Sequence, residues 1–406
     1  MSKFGLSQPV QRVEDTRFVT GQGQYIEDMS RAGELRAVFL RSPMGHADIT
    51  SIDTTEAAAL PGVHLVLTGA DLEAPLENDM DAVQLQNRDG SMSARPRRPL
   101  LAVGRVRHVG EPVVCVVADT LAIAKDAAEL VVVEYDERPS VVDTAAATDP
   151  GQPVLHDEAP ANLVYDWGIG DEGATESALS AAARTVELEL INNRVVANAM
   201  ETRGGLAEWD GTRLTMHYNG QGVWGMKDEL ARRLKLDPEN VRATTPDVGG
   251  GFGMKAFNYP EHFCIAHAAR LLGRPVKWIG ERTESFASDV MGRDHVTRMV
   301  AGFDTANRIT AMKVECISNL GAYLSPYGVL IASELASRVL TGVYDLQTAW
   351  FNVKGVFTNT VPVDAYRGAG RPEAQYAIER LMDKSARVLG VDPLELRRIN
   401  FIKPDQ

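Results

Sequence analysis

Cysteine is scarce in this chain: 406 residues carry three, Cys115, Cys264 and Cys316, each inside an apolar or alternating stretch, and no C-x-x-C pair occurs. An iron–sulfur cluster usually takes four thiolates, so the chain holds none by itself. Three thiols placed this way read as buried and reduced, the usual state in a cytosolic protein. No apolar run approaches the roughly 20 residues of a membrane span. Residues 1–5, Met-Ser-Lys-Phe-Gly, open no hydrophobic signal core, which points to the cytoplasm. Positive charge is also short, with 42 Lys and Arg against 55 Asp and Glu, and a net charge of −13 argues against a nucleic-acid surface. The one dense basic cluster, Arg95-Pro96-Arg97-Arg98-Pro99, follows a polar run and reads as a solvated loop. His46, His64 and His108 lack metal-ligand spacing and read as structural or surface residues.

What the chain does have is glycine at Gly249, Gly250, Gly251 and Gly253, around Phe252 and ahead of Met254-Lys255. Glycine reaches positive φ without steric cost and lets a large group approach backbone N–H donors. A Walker loop ends in Gly-Lys-Ser/Thr and a dinucleotide fingerprint reads G-x-G-x-x-G; this stretch supplies neither. An anion- or oxo-cradling loop remains, with a tight structural turn as the alternative. It is fed by an apolar run around Val241 and followed by a helix over 260–272, with proline at its start and Gly273 at its end. Asn219-Gly220-Gln221-Gly222-Val223-Trp224 lies upstream and leads into a helix; Asp364-Ala365-Tyr366-Arg367-Gly368-Ala369-Gly370-Arg371-Pro372-Glu373 lies downstream and leads into another, ending at Gly390.

These three motifs, in this order, resemble the molybdopterin-binding large subunit of the molybdenum hydroxylases, the family of xanthine dehydrogenase, aldehyde oxidase and carbon monoxide dehydrogenase. The resemblance runs from about Gly21 to the last residue. It implies a mixed α/β (α+β) fold: a hammerhead-like α/β domain over 1–145, a linker over 146–162, and the first half of the molybdopterin-binding region over 163–406. Residue patterns agree with two strand–helix–strand units in the first part, around 36–40, 63–67, 113–117 and 131–135, and with a hairpin of 296–303 and 309–317 in the second. Gly110-Glu111-Pro112 resembles a hammerhead motif. Ala199-Met200-Glu201-Thr202-Arg203-Gly204 resembles a segment near the cofactor, with Thr202 where proline is usual.

By the same resemblance, Gln221, Gly250, Gly251, Phe252, Gly253 and Arg367 bind molybdenum-molybdopterin, in its cytosine dinucleotide form as in many bacterial members. Phe252, Arg293 and Tyr366 face substrate. Two readings stay open for Phe252, a core anchor or a cover over the substrate cavity; for Arg293, a solvated arginine is the other reading. No protein ligand to the metal is expected, because a pterin dithiolene holds it. The family's base is a glutamate in a Gly-Glu motif farther toward the C-terminus. Gly33-Glu34, Gly110-Glu111 and Gly280-Glu281 read as structural, and Glu261 and Glu373 as acidic residues at helix starts, so no catalytic base is placed on this chain. Iron–sulfur and FAD subunits and a second-half chain are the implied partners. Ala256 stands where xanthine-oxidising members carry glutamate, and Gly368-Ala369-Gly370 replaces the Cys-Ser-Phe of carbon monoxide dehydrogenases. A rival from another class is a non-catalytic cofactor-storage or assembly protein.

Overall fold

The computed structural model describes residues 10–404. The reading of residues 1–5, and of the last two residues of the C-terminal segment, lies outside them.

A seven-stranded sheet runs in the order Val241–Thr244, Leu214–Tyr218, Gly204–Trp209, Val276–Ile279, Leu35–Arg41, Pro112–Ala118, Val63–Thr68. Pro112–Ala118 is buried at every position, which is why it reads as a continuous apolar run rather than an alternating one. Its period of two divides two cores. Cys115 and Val117 pack with Phe263, Cys264 and Ile265 of helix Pro260–Leu272, while Val114 and Val116 pack with Ala127 and Ala128 of helix Leu121–Glu129.

The two expected strand–helix–strand units are divided differently from the simple reading. Strands 35–41, 63–68 and 112–118 join the large sheet, whereas Ala47–Asp53 and Val132–Glu137 pair with Arg105–Val106 in a separate three-stranded sheet. Leu35–Arg41 also pairs in parallel with Val276–Ile279, Leu35 opposite Val276, so one sheet joins the first part of the chain to the second. An apolar strand edge needs a partner, and the partner here lies more than two hundred residues away.

The second large sheet has the order Leu163–Gly170, Ala349–Val356, Ile309–Asn319, His295–Phe303, Arg184–Asn192. The expected hairpin is present: His295–Phe303 and Ile309–Asn319 pair antiparallel, and Asp304 Oδ1 accepts from the N–H groups of Ala306 and Arg308 across the turn. Helix Arg371–Leu389 lies over this sheet and buries Ala374, Ala377, Ile378, Leu381, Met382 and Ala386 on one face. Gly390 ends it at φ 71°, and Asp392 Oδ1 caps helix Pro393–Asn400 by accepting from Leu394 and Glu395.

The basic cluster is a loop, with Arg97 exposed and Arg95 and Arg98 half-buried. Arg95 pairs with Asp79 at 3.2 Å and Arg97 with Glu73 at 2.6 Å, and burial lowers the basicity of Arg98. All three cysteines are buried and free. No helix among the described residues is long and apolar enough to cross a membrane.

Candidate functional site

Strands Leu214–Tyr218 and Val241–Thr244 are adjacent and parallel, so the segments after both leave the sheet side by side at its carboxyl end, where open α/β sheets commonly bind ligands. The first is the Gln221 motif and the second the glycine loop. They are clamped twice: Gln221 N–H donates to the Lys255 carbonyl at 2.8 Å, and Gln221 Oε1 accepts from Gly253 N–H at 2.8 Å. A Cβ on Gly251 would stand 2.4 Å from that same Oε1, so the clamp requires glycine there.

The third motif arrives from the other sheet, after Ala349–Val356, and closes on the loop. Arg367 N–H donates to the Phe252 carbonyl at 2.8 Å. Gly253 has φ 97°, and its Cβ would fall 2.5 Å from the Ala365 carbonyl oxygen. Gly250 has φ 102°, and Phe252 itself sits in the left-handed region at φ 55°, a strained setting for an aromatic residue. The structure therefore brings Gln221, Gly250, Gly251, Phe252, Gly253, Tyr366 and Arg367 into one assembly.

That assembly is an open face. Met200, Trp224 and Phe252 are 91%, 73% and 40% exposed. Gln221, Ala256 and Arg367 are exposed beside them. The Phe252 ring lies over Gly250, whose Cβ would be 2.9 Å from it, and is no anchor buried in the core.

Arg293 is not a solvated arginine. It is 8% exposed and sits at φ 67°, with Nη1 donating to Glu373 Oε1 at 2.8 Å and to the Tyr366 carbonyl at 3.2 Å. Its Nη2 donates to the Arg367 carbonyl at 2.9 Å, and its guanidinium lies 4.9 Å from the Tyr366 ring centroid. It stands behind the third motif with its donors turned to that motif's backbone.

The acidic residues at the helix starts are structural for a different reason from the helix dipole. Glu261 lies between Arg203 at 3.0 Å and Arg41 at 2.5 Å, and Arg203 also pairs with Asp289 at 2.6 Å. Burial alone would raise the Glu261 carboxyl; the two guanidinium groups outweigh it and hold the group well below the usual carboxylate range. The Arg203 guanidinium stacks 3.7 Å from the centroid of Tyr259, whose hydroxyl donates to the Met254 carbonyl at 2.8 Å and so fixes the end of the glycine loop. Among the Gly-Glu pairs, Glu111 is buried and accepts from Tyr323 at 2.7 Å, and Glu281 pairs with Lys125.

Three supports escaped the sequence. Glu201 accepts from Gly249 N–H at 2.8 Å and from buried Lys255 at 3.1 Å. Asp247, just before the loop, accepts from Arg17 at 2.6 Å and from Gln24 N–H at 2.8 Å, tying the N-terminal segment to it. The Arg293–Glu373 pair is the third. Only Glu201 carried a signal, its place in the segment 199–204. No group of three or more His, Cys, Asp and Glu residues able to hold a metal occurs among the described residues.

Residues 155–401 match the model of the molybdopterin cofactor-binding domain, and residues 20–139 that of the a/b hammerhead domain of aldehyde oxidase and xanthine dehydrogenase. The large subunit of nicotine 6-hydroxylase from Paenarthrobacter nicotinovorans is 37% identical over 97% of this chain and 48% of its own length. The carbon monoxide dehydrogenase large chain of Hydrogenophaga pseudoflava is 33% identical over 97% of this chain and 50% of its own length. In the crystal structure of quinoline 2-oxidoreductase from Pseudomonas putida 86, a chain 37% identical superposes with a TM-score of 0.91, covering 98% of this chain and 50% of that one. The chain thus spans about half the length of the relatives it matches. It belongs to the molybdenum hydroxylase family, as part of a molybdopterin-binding large subunit.

Proposed function

We propose that this chain forms one wall of the cofactor cleft of a molybdenum hydroxylase that oxidises a carbon of an N-heteroaromatic ring or an aldehyde, using oxygen from water. The observation that carries this reading is the closure of three distant motifs on one exposed face through Gln221–Gly253 and Arg367–Phe252. The residues there suit the group. Glycines admit close approach, the Gln221 amide and Arg367 guanidinium are exposed donors, and no protein ligand to the metal is needed.

When bound, the molybdenum cofactor supplies the two-electron oxidation. Gln221 has its carbonyl oxygen committed to Gly253, which fixes the amide and leaves its NH2 group to donate to the cofactor. The backbone of Gly250, Gly251, Phe252 and Gly253 and the side chain of Arg367 complete the contacts, to a cytosine dinucleotide form. The Phe252 and Tyr366 rings bound the substrate side, with Arg293 holding Tyr366 from behind. Near the motifs, Glu201, Glu261 and Glu373 are each engaged by a cation, and Asp364 is buried with its oxygens held by the N–H groups of Tyr327 and Ala365, so the proton acceptor is a glutamate from the rest of the large subunit. That second half, on this polypeptide or another chain, covers Met200, Trp224 and Phe252; electrons leave through iron–sulfur and FAD subunits in the cytoplasm.

Ala256 offers no carboxylate for a purine, and the cysteines, all buried, offer no thiolate near Gly368. Dye reduction by the assembled complex is expected with N-heterocycles or aldehydes and not with xanthine or carbon monoxide. Robust turnover of either of the latter two overturns this substrate assignment.

A further inference from the structure

Arg293 and Asp294 both hold positive φ, at 67° and 68°, without being glycine. Such backbone persists only where the surroundings impose it. Asp294 is fixed by Arg194, Thr144 and Asn319. Arg293 is fixed by its fork of donors: one to the Tyr366 carbonyl, one to the Arg367 carbonyl, and one to Glu373. The fork holds the start of a tight turn in which Ala369 N–H also donates to the Tyr366 carbonyl at 2.8 Å. Gly368, Ala369 and Gly370 all have positive φ, at 98°, 31° and 86°, and two of the three are glycine.

Glu373 is 5% exposed, and its second oxygen, Oε2, is buried with no partner among the described residues. It lines a cavity of about 20 Å³ together with His295, Asn192, Thr297, Cys316 and Tyr376. The rest of the lining is apolar, Leu190, Val314, Leu340 and Phe351 among it, but the volume admits a single water, which would satisfy Oε2.

We propose that Glu373 is a positioning residue: its buried charge keeps Arg293 turned inward, and Arg293 in turn sets the backbone of Tyr366 and Arg367, with one water in the cavity behind. What those two residues face rests on the function proposed above; the positioning itself does not. Neutralising Glu373 leaves the guanidinium buried without a counter-charge, so it turns to solvent and releases both carbonyls. Lysine at 293 keeps the charge but cannot span two carbonyls and a carboxylate in one plane.

The test uses the full chain without cofactor and, separately, the assembled loaded complex, for Arg293→Lys, Glu373→Gln and the double variant Arg293→Met/Glu373→Met. In the cofactor-free chain, amide exchange of residues 364–371 is expected to quicken at least tenfold in all three. The double variant, which leaves no buried charge, should recover the thermal midpoint that Glu373→Gln loses, without recovering that protection. In the loaded complex, Arg293→Lys should lower kcat/KM at least tenfold. Unchanged exchange in Arg293→Lys, or protection that returns together with stability in the double variant, shows a merely structural ion pair and overturns the proposal. Altered exchange in a wild-type-like complex that never binds molybdenum leaves the positioning standing and defeats the function instead.

Discussion

At the scale of single residues the site is built on glycines that differ in kind. A methyl group at Gly251 meets the end of a flexible glutamine, whereas one at Gly253 meets the Ala365 backbone at a φ that L residues rarely adopt. Gly253→Ala should therefore cost about 2 kcal/mol or more, and Gly251→Ala clearly less, because Gln221 can move aside. Both should weaken cofactor retention. Equal midpoints for the two variants in thermal unfolding contradict this ordering. The glycine loop and Gln221 were legible in the sequence because their spacing is local and fails the phosphate-loop patterns. Arg293–Glu373 was not, since the two residues stand 80 apart and nothing local in either codes for the other. The same holds for Glu261, whose place after the first proline of a helix suggests a dipole partner and hides two arginines brought in from 41 and 203.

Elements are legible in the sequence where their own ends signal them. Helix Pro260–Leu272 begins at proline and stops at Gly273 with φ 60°, and Arg371–Leu389 stops at Gly390 in the same way. Sheet membership was not legible, because a strand's pattern states its faces and not its neighbours: nothing in 35–41 indicates pairing with 276–279. One junction between elements makes a pH prediction. Asp364 opens the third motif and accepts from Tyr327 N–H at 2.9 Å and Ala365 N–H at 2.6 Å, gripping the start of the Gly328–Leu330 turn and the π-helical Ile331–Leu335 beyond it. Burial, opposed by these bonds and by Ser325, raises its carboxyl to about 6 from an ordinary 3.8. The folded state thus holds the proton more tightly than the unfolded one. This group's contribution is most favourable below about pH 4 and is lost as pH rises toward 6, by on the order of 2 kcal/mol. Asp364→Asn should gain stability relative to the unsubstituted chain across that interval, on top of a constant offset for the changed hydrogen bonds. Parallel stability curves from pH 4 to 7 contradict it.

At the scale of the whole molecule, the three motifs sit on a face that leaves Met200, Trp224 and Phe252 open, in a chain about half as long as its relatives. An exposed apolar cluster rimmed by donors is the form expected of one wall of a cleft whose other wall comes from the rest of the large subunit. The most direct measurement is molybdenum per mole of protein, for the chain alone and for the complex assembled with the remaining half. Near-stoichiometric metal is expected in the complex, almost none in the chain alone, and loss of the metal from the complex on Gly253→Ala. Full occupancy in the lone chain, or a complex that assembles and stays free of metal under conditions that load a known relative, would contradict it.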